Sequence, residues 1–217
     1  MPSAALQSVL DGRFAEVLQF REKPSQEALP SGIPDLEFPR GAVSEIYGPP
    51  SSGRTTLLLS VLAQATAGEE VCALVDVDDA FDPASAAASG IALERLLWVR
   101  CGANAERALK VTDLLVQGGG FGLVAMDLGN TPPQTARRIS PASWFRFRHA
   151  VQNTRTVLLV LEQDRFARSC AALSLEMSRE TVTWPGTPGC SQFLGGMRLQ
   201  VERRKGGTGF SLFAAGV

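Results

Sequence analysis

The sequence predicts an α/β domain, a mainly parallel sheet flanked by helices with an antiparallel extension toward the C-terminus. Three observations carry this expectation. A glycine-bounded loop, Gly48–Thr55, stands between a short apolar strand and an amphipathic helix. Around it, unbroken apolar runs alternate with helix-compatible segments, the pattern of strands covered on both faces. After Gln163 these runs give way to apolar–polar alternation, which suits antiparallel strands with one wet face. With 217 residues, 45% hydrophobic and 20% charged, the chain can bury one core of ordinary size.

The elements follow in chain order. Leu6, Val9, Leu10 and Phe14 fall at helical spacing, and Glu16–Arg21 reads as a short strand before a polar, proline-bearing link over Glu22–Pro30. This front piece is too small to fold alone, so residues 1–28 are taken as an arm and linker and 29–217 as the core domain. Val43–Tyr47 is the first core strand. Leu57, Leu58, Val61, Leu62 and Ala65 then mark one buried helix face. Val71–Val75 predicts a buried strand, Pro83–Ser89 a helix, Leu96–Val99 a strand and Glu106–Val116 a helix ended by Gly118-Gly119-Gly120. Gly122–Met126 is again a strand, closing on Asp127. Ser140-Pro141 starts a helix, serine as cap and proline in the first turn, with Trp144, Phe147 and Val151 on one face. Thr156–Leu161 is the next buried strand. Ala172–Met177, Thr181–Trp184, Met197–Val201 and Phe210–Phe213 are expected as antiparallel strands, with Trp184-Pro185-Gly186 as a strand end and turn.

Composition excludes several function classes. A net charge of −1 supplies no global basic field for nucleic acid, so any DNA contact must come from local clusters. Cys72, Cys101, Cys170 and Cys190 show no metal-ligand spacing, and His149 is the one histidine. Cys72 and Cys101 lie in apolar runs and read as small buried hydrophobes. No apolar run reaches membrane-span length, and the start of the chain lacks a secretory pattern. The expectation is a cytoplasmic protein without membrane contact.

The loop Gly48-Pro-Pro-Ser-Ser-Gly53-Arg54-Thr55 fits G-x-x-x-x-G-K-[ST] except at the lysine. Such a loop turns backbone N–H groups inward around an anion and adds the positive end of the helix dipole. Gly48, Ser51, Ser52, Gly53, Arg54, Thr55 and Thr56 are therefore candidate nucleotide-binding residues. Thr55 and Asp127 are the candidate ligands for Mg²⁺ and its water shell. Arg54 is the departure: a planar guanidinium is no equivalent of a compact ammonium. It can bind phosphate bidentately, but is not expected to reproduce the transition-state geometry. A plain Gly-Pro-Ser turn that binds nothing is the alternative.

Glu45–Ala65, Cys72–Pro83, Leu123–Asp127 and Val157–Gln163 together resemble bacterial RecA, from its phosphate-loop strand and helix to the strand ending in its nucleotide-sensing glutamine. The front helix and strand resemble RecA's protomer-linking arm less specifically, and RecA's C-terminal domain has no counterpart. The resemblance implies a RecA-like core with ATP and Mg²⁺ as cofactors, their occupancy left open. It places the sensor on Gln163, the general base on Asp78 and the adenine-stacking position on Ser85. Through Arg198–Lys205 it places inter-subunit phosphate or partner contacts on Arg203 and Lys205, although Arg203-Arg204-Lys205 also reads as a solvated hairpin tip. Asp78 is one methylene shorter than the family's glutamate, and Ser85 removes a flat apolar contact. With Arg54, these are three changes in one site, and they argue for weak or absent hydrolysis.

The segments after Asp127 and after Gln163 are short for mobile DNA-binding loops. The combination, with Pro141–Met177, resembles the ImuA (SulA-like) group of RecA-derived accessory proteins. Membership would imply a part in the SOS DNA damage response and translesion synthesis. The implied partners are RecA, an ImuB-like protein of polymerase fold and an error-prone polymerase. Arg137, Arg138, Arg146 and Arg148 are candidate DNA or partner contacts, either for an acidic partner or for weak residual DNA affinity. The competing expectation is an active DNA-dependent ATPase, with Arg54 and Asp78 tolerated.

Overall fold

The computed structural model describes residues 28–183, 196–203 and 210–215. The expected front helix and strand, Trp184-Pro185-Gly186, Cys190 and Lys205 lie outside the described residues. Two short strands open the described chain, β1 (Leu29–Pro30) and β2 (Glu37–Phe38), paired antiparallel. The link expected to run through Pro30 therefore ends one strand earlier. The Ser60 hydroxyl donates to the Ser31 carbonyl at 2.6 Å, and Leu29, Leu36 and Phe38 are buried, so this hairpin is part of the core.

The main sheet begins with β3 (Ala42–Tyr47), followed by α1 (Arg54–Ala67), β4 (Cys72–Asp76), α2 (Pro83–Ala88), β5 (Leu96–Arg100), α3 (Ala105–Gly118) and β6 (Leu123–Asp127). Next come α4 (Pro133–Ala136), α5 (Pro141–Val151), β7 (Val157–Glu162), β8 (Ala171–Thr183), β9 (Gly196–Arg203) and β10 (Phe210–Ala215). The spatial order is β10-β9-β8-β3-β7-β6-β4-β5. The pairs β8–β3, β3–β7, β7–β6, β6–β4 and β4–β5 are parallel, while β8–β9 and β9–β10 are antiparallel. This is the predicted architecture.

Period-two alternation on strands buried from both sides builds two core layers. On β7, Leu159 and Leu161 point to one layer, with Leu57, Leu58, Val61 and Leu62 of α1. Leu158 and Val160 point to the other, with Trp144, Phe147 and Val151 of α5 and Ala108 and Val116 of α3. The cap of α5 forms as read: the Ser143 amide donates to the Ser140 hydroxyl at 3.3 Å. Cys72, Cys101 and Cys170 are all buried, and the Cys72 thiol is pushed up to about 12, burial being the chief cause.

One expectation is corrected. Ala172–Met177 and Thr181–Thr183 are not two antiparallel strands but one, β8. It runs parallel to β3 from Ala171 to Glu176 and pairs antiparallel with β9 from Leu175 onward. The pairing skips Glu180, between Arg179 and Thr181. That bulge breaks the alternation and makes one strand look like two.

Candidate phosphate-binding site

The carboxyl ends of β3, β4, β6 and β7 share one rim of the sheet, where an open parallel sheet places its ligands. Gly48 leaves β3 against β8. A methyl group there would stand 2.1 Å from the Met177 carbonyl oxygen, so no side chain is admitted. Ser51 (φ 61°) and Gly53 (φ 87°) both adopt the left-handed conformation. Gly53 begins α1 without a side-chain cap, and no acidic residue occupies the first turn. The first amides of α1 thus keep both their hydrogens and their positive dipole end for an anion. Ser52 is 1% exposed, and its hydroxyl has no partner among the described residues, an arrangement that costs about 1–3 kcal/mol unless an acceptor arrives. Pro50 through Thr56 wall a cleft of about 520 Å³, closed on its other side by Asn130, Arg179 and Val182. Ser51, Thr55 and Thr56 are exposed to it, whereas Ser52, Gly53 and Arg54 are buried.

Arg54 does not project freely over this cleft. Its Nη1 donates to the Glu162 carbonyl, and its Nη2 donates to the Gly129 carbonyl at 3.0 Å. The guanidinium is thereby latched across the ends of β7 and β6, with only 7% of the residue exposed. Burial lowers its pKa, and Asp127 opposes that shift. Asp127 Oδ1 accepts the Gly129 amide at 2.7 Å. A methyl on Gly129 would lie 2.8 Å from this oxygen and 3.3 Å from Arg54 Nη1, so the carboxylate and the guanidinium flank the same narrow space. Burial raises the Asp127 carboxyl to about 6, with Asp76 adding to the rise. The loop fits the phosphates of a nucleotide. Asp127 and Thr55 do not make a free divalent-cation site, because the Arg54 guanidinium occupies the space beside the carboxylate.

Asp78, Thr131 and Gln163 form a polar line beside this rim. The Thr131 hydroxyl donates to Asp78 Oδ2 at 3.2 Å, and Gln163 Nε2 donates to the Thr131 carbonyl at 3.4 Å. Burial pushes the Asp78 carboxyl up, with Thr131 opposing. Ser85 is exposed in the first turn of α2, where its amide donates to the capping residue Asp82 at 3.0 Å, and its side chain offers no ring face.

The arginines divide. Arg137 pairs with Asp164 at 3.2 Å, and Arg146 pairs with Asp113 at 2.8 Å while lying 5.9 Å above the Phe147 ring. Arg138 and Arg148 are exposed. Trp144 and Phe147 are core residues in edge contact, as read, and Phe145 is the exposed aromatic of α5, at 55%. A second cleft of about 250 Å³ lies between α4–α5 and the β7–β8 connection, with Phe145, Phe166, Arg137 and Arg168 on its walls. Arg203 ends β9 opposite Leu175.

Sequence reasoning missed three groups. Arg179 reaches the phosphate cleft from β8, more than a hundred residues beyond the loop. Asp76 is buried and organises the loop after β4, accepting from the Ala80 and Phe81 amides and from Trp98 Nε1 at 3.2, 3.0 and 3.1 Å. Glu45 is fully buried at the centre of β3. It accepts from Arg165 Nε at 2.9 Å, from the Ala167 and Arg168 amides at 3.0 and 3.3 Å, and from the Ser174 hydroxyl. A lone acidic residue inside an apolar strand was the one signal available for Glu45.

The RecA N-terminal domain family matches residues 26–134. The RecA protein of Chloroflexus aurantiacus is 30% identical over 188 residues, covering 75% of this chain and 53% of that protein. Deinococcus radiodurans RecA is 44% identical over 90 residues, 42% of this chain and 24% of its own length. The chain thus spans about half, or less, of the length of these relatives. The crystal structure of the RadB recombinase shares the fold with a TM-score of 0.57 at 17% identity, covering 81% of this chain and 87% of that one. A phosphate loop at the head of a mainly parallel sheet, matched across half its length by the RecA N-terminal domain, makes this chain a member of the RecA family.

Proposed function

We propose that this RecA-family chain is an accessory protein of the bacterial DNA damage response and translesion synthesis, acting through protein contacts with weak or no ATP hydrolysis. The Arg54 latch carries the reading. The cation that should fold over the β- and γ-phosphates is bound instead to the carbonyls of Glu162 and Gly129, and electrostatic catalysis of phosphoryl transfer depends on that cation's placement. The segments after β6 and β7 add support. Thr131, Ala136 and Ile139 are buried in the first, and the second is pinned by Glu45. Segments so fixed are poorly suited to wrapping a DNA strand, whereas Phe145 and the exposed Arg138 and Arg148 offer a surface to a protein partner.

The partners proposed are RecA, an ImuB-like protein of polymerase fold and, through it, an error-prone polymerase. Pull-down and mass photometry of the purified chain with RecA and with an ImuB-like protein should detect association with at least one. Absence of association with both would overturn the accessory role. The line Asp78–Thr131–Gln163 favours a second reading, a DNA-dependent ATPase, because it keeps a carboxylate and an amide in hydrogen-bonded register near the loop.

A further inference from the structure

The cradle departs from a metal-assisted phosphate site in two linked ways. Its fixed cation lies beside Asp127, latched to the Glu162 carbonyl at the end of β7 and to the Gly129 carbonyl in the turn after β6. A second cation, Arg179, enters the cleft from β8. The β8 bulge lies immediately after Arg179, and bulges re-aim the side chains beside them. The same cleft is walled by the start of α1 and by the buried Ser52, whose hydroxyl, without a partner among the described residues, marks a place for an acceptor atom.

From this arrangement we infer that the cleft binds a polyphosphate chain without a divalent cation, the Arg54 guanidinium standing where the metal's charge would be and Arg179 gripping the phosphates from the β8 side. The physical reason is charge balance. A divalent ion is needed where an acidic residue and a polyphosphate would otherwise face each other uncompensated. Here a guanidinium already stands beside the carboxylate, and a metal entering there would be repelled by it. Arg179 meets phosphate as arginine does elsewhere, through a planar fork of donors. The inference rests on reading the loop as a phosphate cradle, and does not depend on the accessory role.

The test is isothermal titration of the full chain with ADP and with pyrophosphate, each in excess magnesium and in excess chelator. The expected result is binding of at least one probe with affinities in the two buffers agreeing within about twofold, which is under about 0.5 kcal/mol. The ratio of the two probes tells whether a nucleoside contributes. Arg179→Ala should weaken binding about five- to tenfold in both buffers, and its exposed position keeps the fold out of question. Arg54→Lys, checked for folding by circular dichroism, should acquire a magnesium dependence of about tenfold. Wild-type binding that disappears in chelator overturns the inference, as does failure of both probes in both buffers, or an Arg179→Ala variant with unchanged affinity. Phosphate release from ATP followed on the same samples separates the two readings. Rapid turnover would strike the proposed function, whereas magnesium dependence without turnover would strike only this inference.

Discussion

Asp127 shows how one residue's surroundings set both its chemistry and its cost. Burial raises its carboxyl from 3.8 to about 6, so the folded chain holds this proton more tightly than the unfolded chain. The stabilising effect of that proton is complete below about pH 4 and is lost as pH rises through 6, a difference of roughly 3 kcal/mol. Asparagine keeps the acceptor for the Gly129 amide and removes the charge. Urea unfolding of Asp127→Asn against wild type should therefore show little difference at pH 4 and a gain for the variant approaching 3 kcal/mol above pH 6. Parallel stability curves across that range would contradict this account of the site. Arg54 teaches a related lesson at the same scale. Its identity is visible in the loop motif, and so is its misfit to a lysine's task. Its direction is not, because the two carbonyls that capture it belong to residues 75 and 108 positions away.

Among the elements, β3 and the connection from β7 to β8 act as one unit through Glu45. A buried carboxylate with an arginine, a hydroxyl and two backbone amides around it is fully satisfied, and removing one side of such a network leaves buried donors without partners. Glu45→Ala should cost about 3 kcal/mol, read as a lower unfolding midpoint in urea, and should speed hydrogen exchange at Ala167 and Arg168. A variant with wild-type stability and exchange would show that the connection is held by other means. The helices and the buried strands were legible in the sequence because periods of 3.6 and 2 are local properties. The helix face of Leu57, Leu58, Val61, Leu62 and Ala65 and the serine cap at Ser140 stand where the pattern puts them. β8 was not legible as one strand. Alternation reports which face is wet, not which neighbour a strand pairs with, and the bulge at Glu180 interrupts the signal within the stretch that β8 pairs with β9.

For the whole molecule, the parallel sheet brings distant residues to one rim and so decides what the sequence alone leaves open. Gly53, Arg54 and Asp127 meet there as the motif suggests, but Arg179 joins them through strand order alone, with no local pattern to announce it. Among the described residues no helix is long and apolar enough to cross a membrane. The loop keeps the glycines and the free helix start of the phosphate-loop motif, whereas its lysine position carries the latched Arg54, and the proposed role depends on that contrast. Steady-state phosphate release from magnesium-ATP, with and without single-stranded DNA, tests it most directly. Turnover should stay near the background rate, without stimulation by DNA. Rapid DNA-stimulated release that vanishes in Thr55→Ala or Asp127→Ala would contradict it.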